Sequence, residues 1–95
     1  MNSPNLNTLE VIFTKLTCLD ISNLPNLEEL DCSNNLLTQL NTKNGNWQNL
    51  EIDAISNNLS CVEVDNIGYA MNNWQFDSFT LIDNNCNYSN SCSVS

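Results

Sequence analysis

The side chains of this 95-residue chain with the greatest chemical potential are eleven carboxylates and five cysteines. A pair of carboxylates can hydrolyse a glycoside when burial raises the pKa of one of them. Four of the acids recur at positions that would bring them to or near one face: Glu10, Glu29, Asp31 and Glu51. On an open, wet face all would be ionised, and histidine, the usual general base, is absent. The sequence therefore predicts a protein that is not an enzyme, with an acidic hydrolase fragment as the least favoured alternative.

The charge balance restricts the partners. The net charge is −9 and the two bases are Lys15 and Lys43, which excludes nucleic acid, because phosphate binding requires clustered Lys and Arg. Anionic membrane surfaces are disfavoured for the same reason, and no apolar run is long enough to insert into a bilayer. No cofactor is predicted, since Gly45 and Gly68 stand apart rather than in a phosphate-binding loop. A basic protein patch, a cationic ligand or a divalent cation fits the charge, whereas acids that only keep a secreted protein soluble are the plainer interpretation.

The cysteines do not have the spacing of a metal site. The chain contains no histidine and no C-x-x-C pair, and the spacing between Cys86 and Cys92 does not match a zinc knuckle. Five cysteines cannot all pair within one chain. At least one free thiol is therefore expected.

An internal repeat determines where these side chains lie. Residues 5–21 align with residues 26–42 at an offset of 21, with apolar residues at the matched positions. A third copy, shifted by two further residues, would place Ile55 where Val11 and Cys32 stand. Asn-rich turns separate the copies, which favours short strands. An amphipathic helix is the alternative, but the Asn clusters oppose it.

The clearest copy, residues 27–37, reads L-x-x-L-x-C-x-x-N-x-L. Leu30 and Cys32 are two apart, so in a strand both point inward, and three polar neighbours point outward: Glu29, Asp31 and Ser33. Asn35 would turn the chain at the end of the strand, its amide satisfying backbone groups left open by the bend. Stacked copies would align such residues in a ladder, and the segments between strands would return as extended or 3₁₀ structure.

Past the third copy the pattern changes. Residues 59–65 alternate as one last strand. Residues 65–74 fit a short helix with Asp65 at its N-cap and with Met71 and Trp74 on its apolar face. Stacked repeats need an atypical unit to cover the last core layer, and this segment has the aromatic bulk for that role.

The stretch L-S-C-V-E-V-D-N-I-G-Y-A-M-N-N-W-Q-F-D, residues 59–77, followed by Cys86, resembles the terminal unit of secreted bacterial leucine-rich-repeat proteins. The earlier L-T-C-L-D-I-S and L-E-E-L-D-C-S-N-N stretches are similar to that family's repeats, in the style of internalins. The resemblance covers residues 5–86. It implies a leucine-rich-repeat solenoid with short parallel β-strands on the concave side, an irregular or 3₁₀ convex side, and a C-terminal cap containing one short helix. It also implies an extracellular or cell-surface protein and a disulfide between Cys61 and Cys86.

The expected organisation is about three leucine-rich repeats over residues 5–58, a capping unit over residues 59–86 and a disordered polar tail over residues 87–95. No N-terminal cap precedes Leu6. We therefore expect a fragment of a longer chain, with an open strand edge.

Two polar residues and two cysteines depart from the pattern. Thr42 and Asp53 stand where the repeat requires apolar residues, and Asp53 is expected to weaken or distort the third strand. Cys32 falls at an inward position and is predicted to be a buried thiol. Cys18 and Cys92 have no obvious partner.

The outward positions of neighbouring strands are predicted to form a binding face on the concave side. Strands stack about 4.8 Å apart, so the side chains would form one acidic patch with small neighbours: Thr8, Glu10, Glu29, Asp31, Ser33, Ile52, Ala54 and Ser56. We expect a protein or other extracellular ligand that carries Lys or Arg to bind there, or Ca²⁺ to bind weakly. The alternatives are a solvated face without a ligand, and a structural spacer or cap that presents other domains of a longer chain.

Overall fold

The computed structural model describes residues 5–88 and Cys92, and these residues form a small α/β protein with short parallel strands in two sheets and one α-helix. The strands are β1 (Thr8–Glu10), β2 (Cys18–Asp20), β3 (Glu29–Asp31), β4 (Gln39–Asn41), β5 (Glu51–Asp53), β6 (Cys61–Glu63) and β7 (Leu81–Asp83). A 3₁₀ turn spans Trp47–Asn49, and helix α1 spans Ile67–Asn73.

The chain alternates between the two sheets. The first sheet has the order β1-β3-β5 and the second has the order β2-β4-β6-β7, and every pair is parallel. Leu9 lies opposite Leu30, and Leu19 lies opposite Leu40, so strands one repeat apart are neighbours. We call one strand of each sheet, together with its connections, a passage of the chain. Each passage therefore packs on the passage one repeat earlier.

The core lies between the sheets. Each strand has three residues, and in β1 to β6 the middle residue is the most buried, because successive side chains of a strand point to opposite sides. Sixteen apolar residues form the buried cluster: Leu19, Ile21, Leu24, Leu27, Leu30, Cys32, Leu37, Leu40, Leu50, Ile52, Ala54, Leu59, Val62, Val64, Ala70 and Trp74. Thr42 is also fully buried, and its hydroxyl donates to the Glu63 carbonyl at 2.8 Å. A polar residue at this position is thus tolerated because its hydroxyl is paired.

The register of β5 differs by one residue from the sequence-based prediction. Ile52, not Asp53, lies opposite Leu30, and Ile55, which the repeat placed at the inward position of Cys32, is 37% exposed in the loop that follows. The prediction that Asp53 occupies an inward position is wrong, since Asp53 lies opposite Asp31 at the outward position. The physical reason is the cost of burying a carboxylate. The observed register buries Ile52 and Ala54 instead.

Buried asparagines join neighbouring passages, as the sequence predicted for Asn35. The Asn35 amide donates to the Cys32 carbonyl at 3.1 Å, and its oxygen accepts from the Thr14 N–H at 2.8 Å. Asn57 repeats the arrangement one passage later, where its amide donates to the carbonyls of Ala54 and Cys32, both at 3.0 Å. The ladder satisfies backbone groups at the ends of β3 and β5 that have no strand partner.

Helix α1 contacts β7, and Gln75 after the helix pairs with β5. The N-cap of the helix is Asn66, whose side chain accepts from the Tyr69 N–H at 2.9 Å, so the prediction of Asp65 as N-cap is wrong by one residue. Trp74 is buried and its indole N–H donates to the Leu50 carbonyl at 2.7 Å. Met71, predicted on the same apolar face, is 66% exposed, because Ala70 occupies the buried side of this short helix.

Two disulfides fasten the C-terminal segment to the second sheet. Cys61 pairs with Cys86, the pair that the family resemblance implies. Cys18 pairs with Cys92 across a sequence separation of 74 residues, a partnership that the sequence did not reveal. Cys32 is the free cysteine of the described residues; burial, followed by the charges of Asp31 and Asp53, raises its pKa to about 12. It is therefore protonated and unreactive near neutral pH.

The segment predicted as a disordered tail, 87–95, lies partly outside the described residues. Tyr88, which is described, contacts the second sheet: its hydroxyl accepts from the Leu40 N–H at 3.2 Å and donates to the Cys61 carbonyl. Cys92 is bonded to Cys18. These residues place the end of the described chain across the second sheet.

We predict that Asn57→Ala lowers the free energy of unfolding by about 2 kcal/mol or more, because it leaves buried carbonyl and N–H groups without partners. The neighbouring Asn58 is exposed, so Asn58→Ala is the matched control and should change stability by less than about 0.5 kcal/mol. Urea denaturation without reductant measures both variants. Equal losses in the two would contradict a stabilising role for the ladder.

Candidate binding face

The outward side of the first sheet brings carboxylates into register. One row across the strands consists of Thr8, Glu29 and Glu51, and a second row consists of Glu10, Asp31 and Asp53. We call these six residues the acidic face. Since partners in adjacent strands lie about 4.8 Å apart, each carboxylate has another beside it.

A depression of 320 Å³ runs across this face. Both rows line it, the middle residues of the three strands form its floor, and Asn73 and Gln75 close the side beyond β5. Gln75 continues the sheet there through a parallel bridge with Asp53. The depression thus joins three strands and the end of α1 into one surface.

Four of the residues predicted for the concave face lie on it: Thr8, Glu10, Glu29 and Asp31. Ile52 and Ala54 do not, because both are buried; the prediction for these two is wrong, and the one-residue change in the register of β5 is the cause. Ser33 is buried at the end of β3, where its hydroxyl donates to Asp31 at 2.7 Å. Ser56 is exposed in the loop after β5, and its N–H donates to Asp77 at 2.8 Å.

The structure adds Glu51 and Asp53 to the face, together with Asn73 and Gln75. Glu51 had been recognised only as a carboxylate near the face. The alternation Glu51-Ile52-Asp53, with one apolar residue between two acids, is the signal that identifies the correct outward positions, since only that register buries the isoleucine.

The two kinds of acid on this face have different roles. Asp31 accepts from the Ser33 N–H at 3.1 Å and Asp53 from the Ile55 N–H at 3.2 Å, so each aspartate caps the turn that follows its strand. Glu29 and Glu51 are exposed and lie opposite each other. Like charges in directly opposed positions repel, and the glutamates are therefore the acids that a cationic partner would relieve.

Metal binding at the face has no geometric support. Within residues 5–88 and Cys92, no group of three or more His, Cys, Asp or Glu side chains lies close enough together to hold a metal ion. The weak Ca²⁺ binding expected from the sequence consequently gains nothing from the arrangement of the carboxylates, which are spread along rows rather than converging.

We predict that Glu51→Lys raises the free energy of unfolding by about 0.5 kcal/mol at low salt, because it replaces a repelling pair across β3 and β5 by an attractive one. Glu28→Lys changes the net charge equally at an exposed position that does not line the depression. Urea denaturation at low salt and in about 1 M NaCl measures both, and the advantage of Glu51→Lys should vanish at high salt. An equal gain from Glu28→Lys would show that net charge, and not the face, is responsible.

Two observations bear on the surroundings in which the face would operate. None of the helices in the described part of the chain combines the length and apolar character needed to cross a membrane. The two disulfides are compatible with an extracellular location.

No family model matches the sequence, and neither a curated protein nor a solved structure matches it. On the acidic face, Glu29 lies opposite Glu51 and Asp31 lies between Glu10 and Asp53, so no basic residue occupies an opposed position.

Proposed function

We propose that the chain is a short leucine-rich-repeat solenoid that acts as a non-catalytic binding module, whose acidic face contacts a basic surface of a partner protein or another extracellular ligand. The observation that carries this proposal is the register of the first sheet, which places five carboxylates at outward positions of three adjacent strands. A surface built from parallel neighbouring strands is wide and shallow, and it suits a macromolecular partner better than an enclosed small molecule.

Three features support the solenoid interpretation. Strands one repeat apart are parallel neighbours in both sheets. Asn35 and Asn57 occupy equivalent places at the ends of β3 and β5 and make equivalent hydrogen bonds. The connections between the strands are short and contain turns and one 3₁₀ segment, and the side opposite the face consists of the short strands of the second sheet, which a repeat of this length can accommodate.

The face also defines the chemistry of the partner. Glu29 and Glu51 would attract Lys or Arg, which accelerates association and selects the orientation more than it adds affinity. Phe13 and Ile55 lie just past the strands that carry the second acidic row, and they are 75% and 37% exposed. Apolar contacts at such positions supply affinity that charge alone does not. The preferred partner is therefore a segment with both basic and apolar side chains.

The module would belong to a secreted or cell-surface protein. The disulfides are compatible with that location, and the family that the sequence resembles implies it in bacteria. Hydrolysis of a glycoside requires enclosed, water-excluding surroundings that raise the pKa of one carboxylate relative to another. The acidic face does not provide such surroundings, because its glutamates are exposed.

The test is the affinity for a synthetic amphipathic peptide of lysine and leucine, measured by fluorescence anisotropy near physiological ionic strength. Glu29→Lys should weaken binding by about tenfold or more, since reversal of one contacting charge costs at least about 1.4 kcal/mol. Glu28→Lys is the matched control: it lies next in sequence, has the same effect on net charge and does not line the depression. It should weaken binding by no more than about twofold.

Equal weakening by Glu28→Lys and Glu29→Lys would overturn the proposal, because the peptide would then respond to net charge alone. Unchanged binding by both variants would indicate a solvated face on a structural spacer. Phe13→Ser provides a second measurement that is independent of charge, and the proposal requires that it also weakens binding.

A further inference from the structure

Strand β1 is an end strand of the first sheet, and among the described residues it pairs with β3 only. The apolar side chains in and beside β1 are only half-buried, namely Leu6, Leu9 and Val11. Their counterparts one repeat later are fully buried, namely Leu27, Leu30 and Cys32. A layer of apolar surface therefore remains partly uncovered on the side of β1 that faces away from β3.

The uncovered layer is restricted to the first sheet. Leu19 lies in β2 and Ile21 directly follows that strand, and both side chains are fully buried. The end strand of the second sheet thus has its inward side chains covered, whereas the end strand of the first sheet does not. A group that covers the remaining layer must therefore lie beside β1.

The backbone of β1 directs hydrogen-bonding groups to the same side. The Asn7 carbonyl and the Val11 N–H both bond to β3, at 3.1 and 2.8 Å. Because the backbone groups of successive strand residues point in opposite directions, the N–H and C=O groups of Thr8 and Glu10 point away from β3. Such groups on an end strand can pair with a further strand.

The charge of the sheet determines which strand fits there. A second copy of the chain also carries a net charge of −9, and pairing of the two β1 strands would join two acidic faces that repel each other. A strand with basic side chains at its outward positions would instead place one base opposite Glu10, which is exposed and has Asp31 on its other side. Opposite charges in directly opposed positions attract.

The inward position between two such bases requires an apolar side chain, because it lies opposite the half-buried Leu9. Antiparallel pairing is the more stable arrangement per residue. It makes the bases opposite Thr8 and Glu10 the residues that exchange backbone hydrogen bonds with β1. The apolar residue between them then forms a non-hydrogen-bonded pair with Leu9, in which side chains approach most closely.

We propose that the basic partner binds by strand addition: a segment in which basic and apolar residues alternate pairs antiparallel with β1 and becomes the fourth strand of the first sheet. This inference rests on the proposed function and adds the mode of binding to it. The backbone bonds to Thr8 and Glu10 supply affinity, and the alternate side chains supply specificity.

The first experiment compares two methylated peptides for binding to the natural protein, by fluorescence anisotropy. The parent is a synthetic peptide of alternating lysine and leucine. One derivative is N-methylated on the backbone of every lysine, the other on the backbone of every leucine. Only the lysine N–H groups face β1 in the proposed pairing, so the first derivative should bind about tenfold more weakly than the parent and the second within about twofold of it. The two derivatives are matched controls because they have the same charge and nearly the same composition.

Weaker binding of the leucine-methylated peptide, or equal binding of the two derivatives, would overturn strand addition. If Glu29→Lys still weakened binding of the parent peptide in that case, the proposed function would stand without this inference. Absence of binding by the parent peptide would overturn both.

The second experiment measures hydrogen exchange of individual amides by NMR, with and without saturating parent peptide. The amides of Thr8 and Glu10 should exchange about tenfold more slowly or less in the complex, because they become bonded. The Val64 amide, which bonds to the Asp83 carbonyl at 2.9 Å in the second sheet, is the reference and should not change. Unchanged exchange at Thr8 and Glu10 would contradict the proposal. Protection of both amides that grows with protein concentration without peptide would assign the edge to a second copy, and would overturn it as well.

Discussion

Every strand of this protein depends on the strand beside it. Sequences such as Glu-Leu-Asp and Gln-Leu-Asn are weak strand formers, and a three-residue strand forms few hydrogen bonds of its own. What holds β3 extended is its pairing with β1 and β5 and the burial of Leu30 between the sheets. Because each passage buries its core residues against the neighbouring passages, loss of one neighbour uncovers the next. The Cys18–Cys92 disulfide adds a covalent link to β2, which has a strand neighbour on one side only.

The spacing of leucines predicted much of this arrangement, because a half-buried strand requires an apolar residue at every second position. The inward positions of Leu30 and Cys32 and the turn at Asn35 follow from it. The register of β5 does not. Counting residues from the preceding repeat places Asp53 at an inward position. The free energy of burying a carboxylate excludes that register. This cost becomes apparent only when alternative strand pairings are compared.

The pairing of Cys18 with Cys92 was beyond prediction for a different reason. Their separation of 74 residues carries no local signal, and the bond depends on the path by which the chain returns across the second sheet. The acidic face was predicted in part: Glu10, Glu29 and Asp31 follow from the repeat, whereas Glu51 and Asp53 require the correct register. Ile52 and Ala54 were assigned to the surface by the same one-residue error.

The acidic face contains opposed carboxylates whose mutual repulsion does not stabilise the fold. Asp31 and Asp53 contribute to folding through the turns that they cap, and that contribution offsets their mutual repulsion. Glu29 and Glu51 cap no turn in the described structure, and a neutral or basic residue at either place would leave the buried column of Leu30 and Ile52 intact. Opposed glutamates with no structural role are what a surface for cationic partners would contain, because their repulsion is relieved only when a positive charge arrives. For this reason Glu29 and Glu51, and not the aspartates that cap the turns, are the residues on which the proposed function depends.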